Sequence, residues 1–369
     1  MKKVSKSDVH LNRFPPTSLR DIAIESKHQH VVSFMMQQGF CVYCVNPTNI
    51  YNHRKSVSIS GSQSDSVDAF LIARYLRSNR ILLEPIQRDS APTEKIRIIS
   101  ADRDLLVRQS SRLTNQLRDT LRAYYPQARL IFSDIACSSA LSFWAEYPTF
   151  EELRKASKQE LISFLKRHRC FSTQRMDCLR DALEQKSPVD ETVIECKKRL
   201  MRAIVSQLRV VLSQIKEYDA LLDELLAEHE DYNWVKTIPG VGIVISGKII
   251  SCFGDDRDRF ESYQDIQALS GTAPVTVASG KYRNVHFRFA CSKPFRDTMQ
   301  MLAFSSLRES QWAKTYYRRK REEGKNHSHA LRCLANVWVK IVYSLWQKHE
   351  SYSEERHLAS IGKHALSNP

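Results

Sequence analysis

Four residues of this 369-residue chain have the side chains and the neighbours for phosphoryl chemistry: Glu25, Asp65, Asp68 and Ser279. Asp65 and Asp68 stand three apart in SDSVDAFLIARYLRS, so on a helix they share a face. Glu25 closes the alternating, β-branched run RDIAIE. Three carboxylates brought together repel one another unless a cation lies between them, an arrangement that suits Mg²⁺. Two such ions about 4 Å apart activate water and stabilise the leaving oxygen of a phosphodiester. The aspartates also fit a plainer role, because acids in a helix's first turn favour its macrodipole. Ser279 precedes Gly280 within VTVASGKYRNVHFRF. A serine in such a basic stretch can attack phosphorus while arginines stabilise the charge, although serine beside glycine is also ordinary turn chemistry.

Cations surround the serine. Lys281, Arg283 and Arg288 flank it, and the run from Lys314 holds Arg318, Arg319, Lys320 and Arg321, with Lys325 just beyond. Tyr316 and Tyr317 add stacking faces, so this tract reads as a nucleic-acid surface or as a solvated helix face. From Ser279 to Arg332 there are thirteen Lys and Arg against four Asp and Glu, and the whole chain carries a formal charge of +15. That excess favours a polyanionic partner. Pro239-Gly-Val-Gly242 can present backbone N–H groups to a DNA phosphate or make a tight interhelical turn. The chain lacks a G-x-x-x-x-G-K-[ST] loop, which disfavours an ATP-driven motor.

The elements that must position these residues follow from periodicity. Arg20–Glu25 predicts a strand, 28–38 a short helix ended by Gly39, and Phe40–Val45 a second strand that Asn46-Pro47 brings to a stop. The polar stretch SVSISGSQS predicts a mobile loop, and Val67, Leu71, Ile72 and Tyr75 predict an amphipathic helix from Ser64. Strand, helix, strand, loop and helix in sixty residues is α/β architecture. Segments 94–122 and 188–230 are rich in Leu, Arg, Gln and Glu without internal proline or glycine. The stripe Ile204, Leu208, Leu212, Ile215, Tyr218, Leu222 and Leu225 makes the second of these a long amphipathic helix. It needs a partner within the chain or across a dimer. A polar tail, expected to fray, closes the sequence.

No apolar h-region follows the N-terminal lysines, no run of 18 apolar residues occurs, and nine cysteines are scattered along the chain. These features predict a cytoplasmic protein with reduced thiols. Cys41 and Cys44 form the one C-x-x-C, but strand alternation sends them to opposite faces. Core packing is therefore the expectation there rather than zinc.

IAIE, VNP, SDSVDAFLIARYL, IPGVG, GDDRDRF, LSGTAP with the following SG, and the tract from Tyr316 through Gly324-Lys325 occur in that order. Together, from Arg20 to Trp346, they resemble the insertion-sequence transposases guided by a bridge RNA, relatives of the Piv-type DNA invertases. The resemblance implies α/β plus α architecture. Residues 1–92 would be a shortened RuvC-like, ribonuclease-H-fold domain, 93–232 a helical coiled-coil region, 233–346 a mostly helical serine transposase domain, and 347–369 a tail. It implies Mg²⁺ held by Glu25, Asp65 and Asp68, a nucleophilic Ser279, and a dimer or higher assembly acting on DNA with a structured noncoding RNA. Only 24 residues precede Glu25, so a truncated first domain lacking its first aspartate is expected, with Lys3 in that place. Pro294 replaces the family's usual glycine. A junction nuclease using water and a non-catalytic nucleic-acid-binding remnant are the alternative functions.

Overall fold

A computed structural model of the chain describes residues 21–25, 29–57, 64–185, 189–280 and 282–359. Two compact units result, Met1–Arg88 and Asp89–Pro369.

The first unit begins with β1 (Asp21–Ile24), α1 (Gln29–Gln37) and β2 (Cys41–Cys44). The strands pair in parallel, Asp21 opposite Cys41 and Ile24 opposite Cys44. Alternation puts Ile22, Ile24 and Val42 into one cluster with Val32 and Phe40, while Ala23 turns to the other face. Proline does not stop the chain after β2. Pro47 opens α2 (Pro47–Val57), because a helix's first residue needs no N–H bond and proline's φ already suits it. The Asn46 side chain caps that helix by accepting from Thr48 N–H at 2.9 Å. The predicted loop is helical at Ser56 and Val57, and 58–63 lie outside the described residues. Ser64 caps α3 (Asp65–Asn79) by accepting from Val67 N–H. Leu71, Ile72 and Tyr75 of α3 pack with Ala23, Val45 and Ile50.

The second unit is organised by two long helices, α4 (Ala91–Tyr124) and α10 (Glu191–Ala227). At 1.5 Å per residue each runs about 50 Å. Ser90 caps the first, with Pro92 in its opening turn, and Asp190 caps the second by accepting from Thr192 N–H at 2.8 Å. Their stripes meet within one chain: Leu113, Leu117 and Leu121 share a core with Met201, Ile204, Val205 and Leu208. Leu208 is fully buried there, so the α10 stripe finds its partner in cis. Between the long helices lie α5 (Ala128–Ile131), α6 (Ser138–Glu146), α7 (Phe150–Lys155), α8 (Lys158–Arg167) and α9 (Thr173–Glu184). They pack an aromatic core of Tyr125, Phe132, Phe143, Trp144 and Phe164 against that end of the hairpin.

At the other end, Ile96, Leu222 and Leu226 join a second core. It is built with α11 (Tyr232–Val235), α12 (Ile243–Phe253), α13 (Tyr263–Leu269), α14 (Lys293–Glu309), α15 (Gln311–Glu322) and α16 (His327–Lys348). Before α14 stands an antiparallel hairpin, β3 (Val275–Ser279) and β4 (Tyr282–His286). Among the described residues no helix is long and apolar enough to cross a membrane.

Candidate active site

The carboxylates are set by β1 and α3. Arg80 Nε donates to Asp21 Oδ2 at 2.6 Å, which ties the end of α3 to the start of β1. From that anchor the 15 residues of α3 climb about 22 Å, while four strand residues climb about 13 Å. The first turn of α3, with Asp65 and Asp68, therefore lies at the same end of the unit as Glu25. Sharing an end is not convergence. Asp68 is ion-paired with Arg54 of α2, and Asp65 and Glu25 are exposed. Among the described residues no group of three His, Cys, Asp or Glu could hold a metal ion. The expected Mg²⁺ triad is not gathered as placed, and one of its three carboxylates, Asp68, is paired with a guanidinium. Lys3 lies outside the described residues.

Ser279 ends β3. Gly280 follows at φ +56°, a left-handed conformation that a side chain would strain. The register pairs Ser279 with Tyr282 across a two-residue turn, of which Lys281 lies outside the described residues. The hydroxyl is exposed, and among the described residues no base or carboxylate hydrogen-bonds it. Val277, Tyr282, Val285 and Phe289 (82% exposed) stand in solvent on or beside the hairpin, with the exposed Arg283 among them. Apolar and basic groups projecting together mark a surface that meets a partner. Arg288 is partly committed, its Nε donating to the Ala273 carbonyl at 3.3 Å. Gly271, at φ +63°, lets Arg296 pass so closely that a Cβ there would meet its Nη2 at 2.5 Å.

In the basic tract Arg318, Arg319 and Arg321 of α15 are exposed. Glu323 gathers Arg319, Lys320 and Lys325, and bonds from the two lysines hold its carboxyl down at about 2. Part of the expected cationic surface is thus neutralised internally. Tyr316 is half-buried beneath Arg319 and Lys320, so its ring is not a free stacking face, while the Tyr317 hydroxyl is engaged by His327 at 2.7 Å. Gly240 is likewise spent. Its N–H donates to Glu309 Oε2 at 2.7 Å, and a Cβ would strike the Ser305 backbone. The tight-turn role holds at Gly240.

One cluster escaped the sequence reading. Asp89, its side chain 1% exposed, pairs with Arg97 and Arg259 and accepts from Asp255 N–H at 3.0 Å. Asp255 in turn accepts from the Thr93 hydroxyl and from Ser90 N–H, both at 2.5 Å, and Thr93 meets His229 at 2.7 Å. Asp231 accepts from Trp234 and Arg257, while Trp346 donates to the Gly254 carbonyl. GDDRDRF is the knot that ties the start of α4, the junction between α10 and α11, the end of α12 and α16 together. GDDRDRF stands out in the sequence as a motif, but its partners Asp89 and Ser90 lie 165 to 170 positions away.

Residues 21–126 match a DEDD transposase domain of the IS110 type, and residues 232–318 match the transposase IS116/IS110/IS902 family. The chain belongs to this transposase family. The second match contains the hairpin with Ser279, and the first contains Glu25, Asp65 and Asp68. The transposase is 26% identical to the IS117 mini-circle protein of Streptomyces coelicolor, covering 92% of this chain and 84% of that one. It is 24% identical to a 42 kDa protein of insertion element IS900 from Mycobacterium paratuberculosis, over 81% and 75% of the two chains. It is also 24% identical to the 43.6 kDa protein of IS110 from S. coelicolor, over 77% and 70%.

Proposed function

We propose that this transposase cuts and rejoins element-end DNA by transesterification at Ser279. The hydroxyl oxygen bonds to a backbone phosphorus, the P–O3′ bond breaks, and the proton leaves with the 3′-hydroxyl. The 5′-phosphate stays on the serine. The phosphodiester is exchanged rather than hydrolysed, so rejoining by a 3′-hydroxyl needs no ATP. The observation that carries this reading is the place of Ser279, exposed at the turn of a projecting hairpin with Arg283 beside it. Because no described group activates the hydroxyl, activation would come with the bound substrate. No step is assigned to Glu25, Asp65 and Asp68 while Arg54 holds Asp68. The partners, by the resemblance, are element-end DNA, a structured noncoding RNA and a second copy of the chain; the exposed Arg283, Arg318, Arg319 and Arg321 support the nucleic-acid part.

One observation favours a second reading, a non-catalytic nucleic-acid-binding chain: the carboxylates are not gathered. Incubation with labelled element-end DNA separates the two. The first reading expects strand breaks whose 5′ ends carry protein, absent in Ser279→Ala. Breaks with free 5′-phosphates in both would indicate hydrolysis by water, and salt-dependent binding without breaks would establish the second reading.

A further inference from the structure

At the foot of the hairpin, just past β4, Phe287 lies under two guanidinium groups. The carbons of Arg296 and Arg332 are each 4.6 Å from the centre of that ring, and so within roughly twice that distance of each other. Cation–π attraction accounts for each one's position over the ring, but it does not remove their mutual repulsion. Among the described residues no carboxylate pairs with either. Arg296 Nε is buried without a hydrogen-bond partner, and its Nη2 reaches only the Arg288 carbonyl. Burial and the charge of Arg296 hold the Arg332 pKa down against the opposing influence of Cys333. His329 is also pushed down, by burial and then by Arg332, Lys325 and Lys320. Uncompensated positive charge therefore collects at Arg296 and Arg332 around Phe287, beyond the lysines that Glu323 neutralises. Paired cations left without an anion in a half-buried place are costly. They are economical where an anion arrives from outside, and a phosphate oxygen accepts from a guanidinium at about 2.8 Å.

We infer that Arg296 and Arg332, held over Phe287, seat one backbone phosphate of the DNA strand that reaches Ser279, an inference that rests on the proposed role of that serine. Phe287 is five residues from Tyr282, which pairs with Ser279, so the seat lies about 17 Å down the hairpin. With about 3.4 Å of rise per nucleotide, the seated phosphate is up to about five nucleotides from the one attacked. Arg296 and Arg332 are positioning residues in this scheme; they fix where along the strand the hydroxyl falls.

The test is the salt dependence of binding to a short DNA duplex carrying the element end, measured by fluorescence anisotropy on the full chain. The Arg332 side chain makes no hydrogen bond to the described chain, so Arg332→Gln should fold like the parent, with an unchanged thermal melt as the check. Because both arginines share one phosphate, losing either should lower the slope of log affinity against log salt by up to about 0.9. Arg296→Gln should do the same, and Ser279→Ala should leave the slope unchanged. A parental slope on DNA in both folded arginine variants overturns the seat, as does a drop confined to an RNA hairpin of equal length. A reduced slope on DNA supports it even where the covalent adduct maps away from Ser279, so the two readings fail separately.

Discussion

Replacing Asp89 by alanine removes the hub of the GDDRDRF knot. Its side chain is 1% exposed and takes a guanidinium from each of Arg97 and Arg259, with a third donor in Asp255 N–H. Removing one partner of a buried charged pair costs about 3–5 kcal/mol, mainly because the other is left uncompensated. Here the two guanidiniums keep 33% and 24% of their exposure and can partly rehydrate, which places the cost near the lower end, about 3 kcal/mol. Asp89→Asn keeps an acceptor for Asp255 N–H but loses the charge, and should cost about half as much. At about 2–4 °C per kcal/mol for a unit of this size, the alanine variant should melt roughly 6–12 °C below the parent and the asparagine variant in between. Urea unfolding followed by circular dichroism, backed by calorimetry, gives both quantities. If both variants unfold within about 0.5 kcal/mol of the parent, the knot does not hold the long helices to the C-terminal core.

Burial works against the charge on Asp255, but bonds from Thr93 and Ser90 and the nearby His229 outweigh it and hold the carboxyl below its usual value. A depressed native pKa contributes stability above the unfolded value of about 3.9 and loses it as pH falls through the native one. Acid unfolding below about pH 4 should therefore be less steep in Asp255→Asn, and an identical acid limb would refute this. Arg54→Gln frees Asp68, whose side chain is 41% exposed. With Arg54 17% exposed the pair is half-open and worth about 1 kcal/mol, the upper end for surface pairs, so calorimetry should show Mg²⁺ affinity rising about fivefold; unchanged affinity would mean the guanidinium is not what closes the triad. Leu208→Ala opens a cavity in the α4–α10 core and should cost about 2–5 kcal/mol without altering mass by light scattering. Conversion to a smaller species would show that the stripe packs between chains.

Periodicity made the long elements legible. The stripes of α3 and α10 are read directly from leucine, isoleucine and tyrosine spacing, because a helix with one apolar face has few alternatives. Pro47 misled because proline ends one element and opens another with equal ease, and only the Asn46 cap decides between them. The segment between the long helices was silent, since its five short helices pack aromatic side chains too irregularly spaced to show a period. At the candidate site Ser279-Gly280 was visible as a pair, but the hairpin that presents it was not anticipated. Glu25, Asp65 and Asp68 were legible as acids, whereas Arg54, which pairs with Asp68, sits on a helix the proline had hidden. Arg296 and Arg332 are 36 positions apart and meet only over Phe287, a coincidence no local pattern encodes.

Attack by the Ser279 hydroxyl leaves a covalent mark on the protein. The most direct measurement incubates the full chain with duplex DNA carrying an element end, digests the protein–DNA adduct with protease and nuclease, and locates the nucleotide-bearing peptide by mass spectrometry. Ser279 as nucleophile leaves a 5′-phosphonucleotide on the peptide that contains it, with a free 3′-hydroxyl on the other side of the break. An adduct on another residue, or a break with a free 5′-phosphate and no adduct, would contradict it.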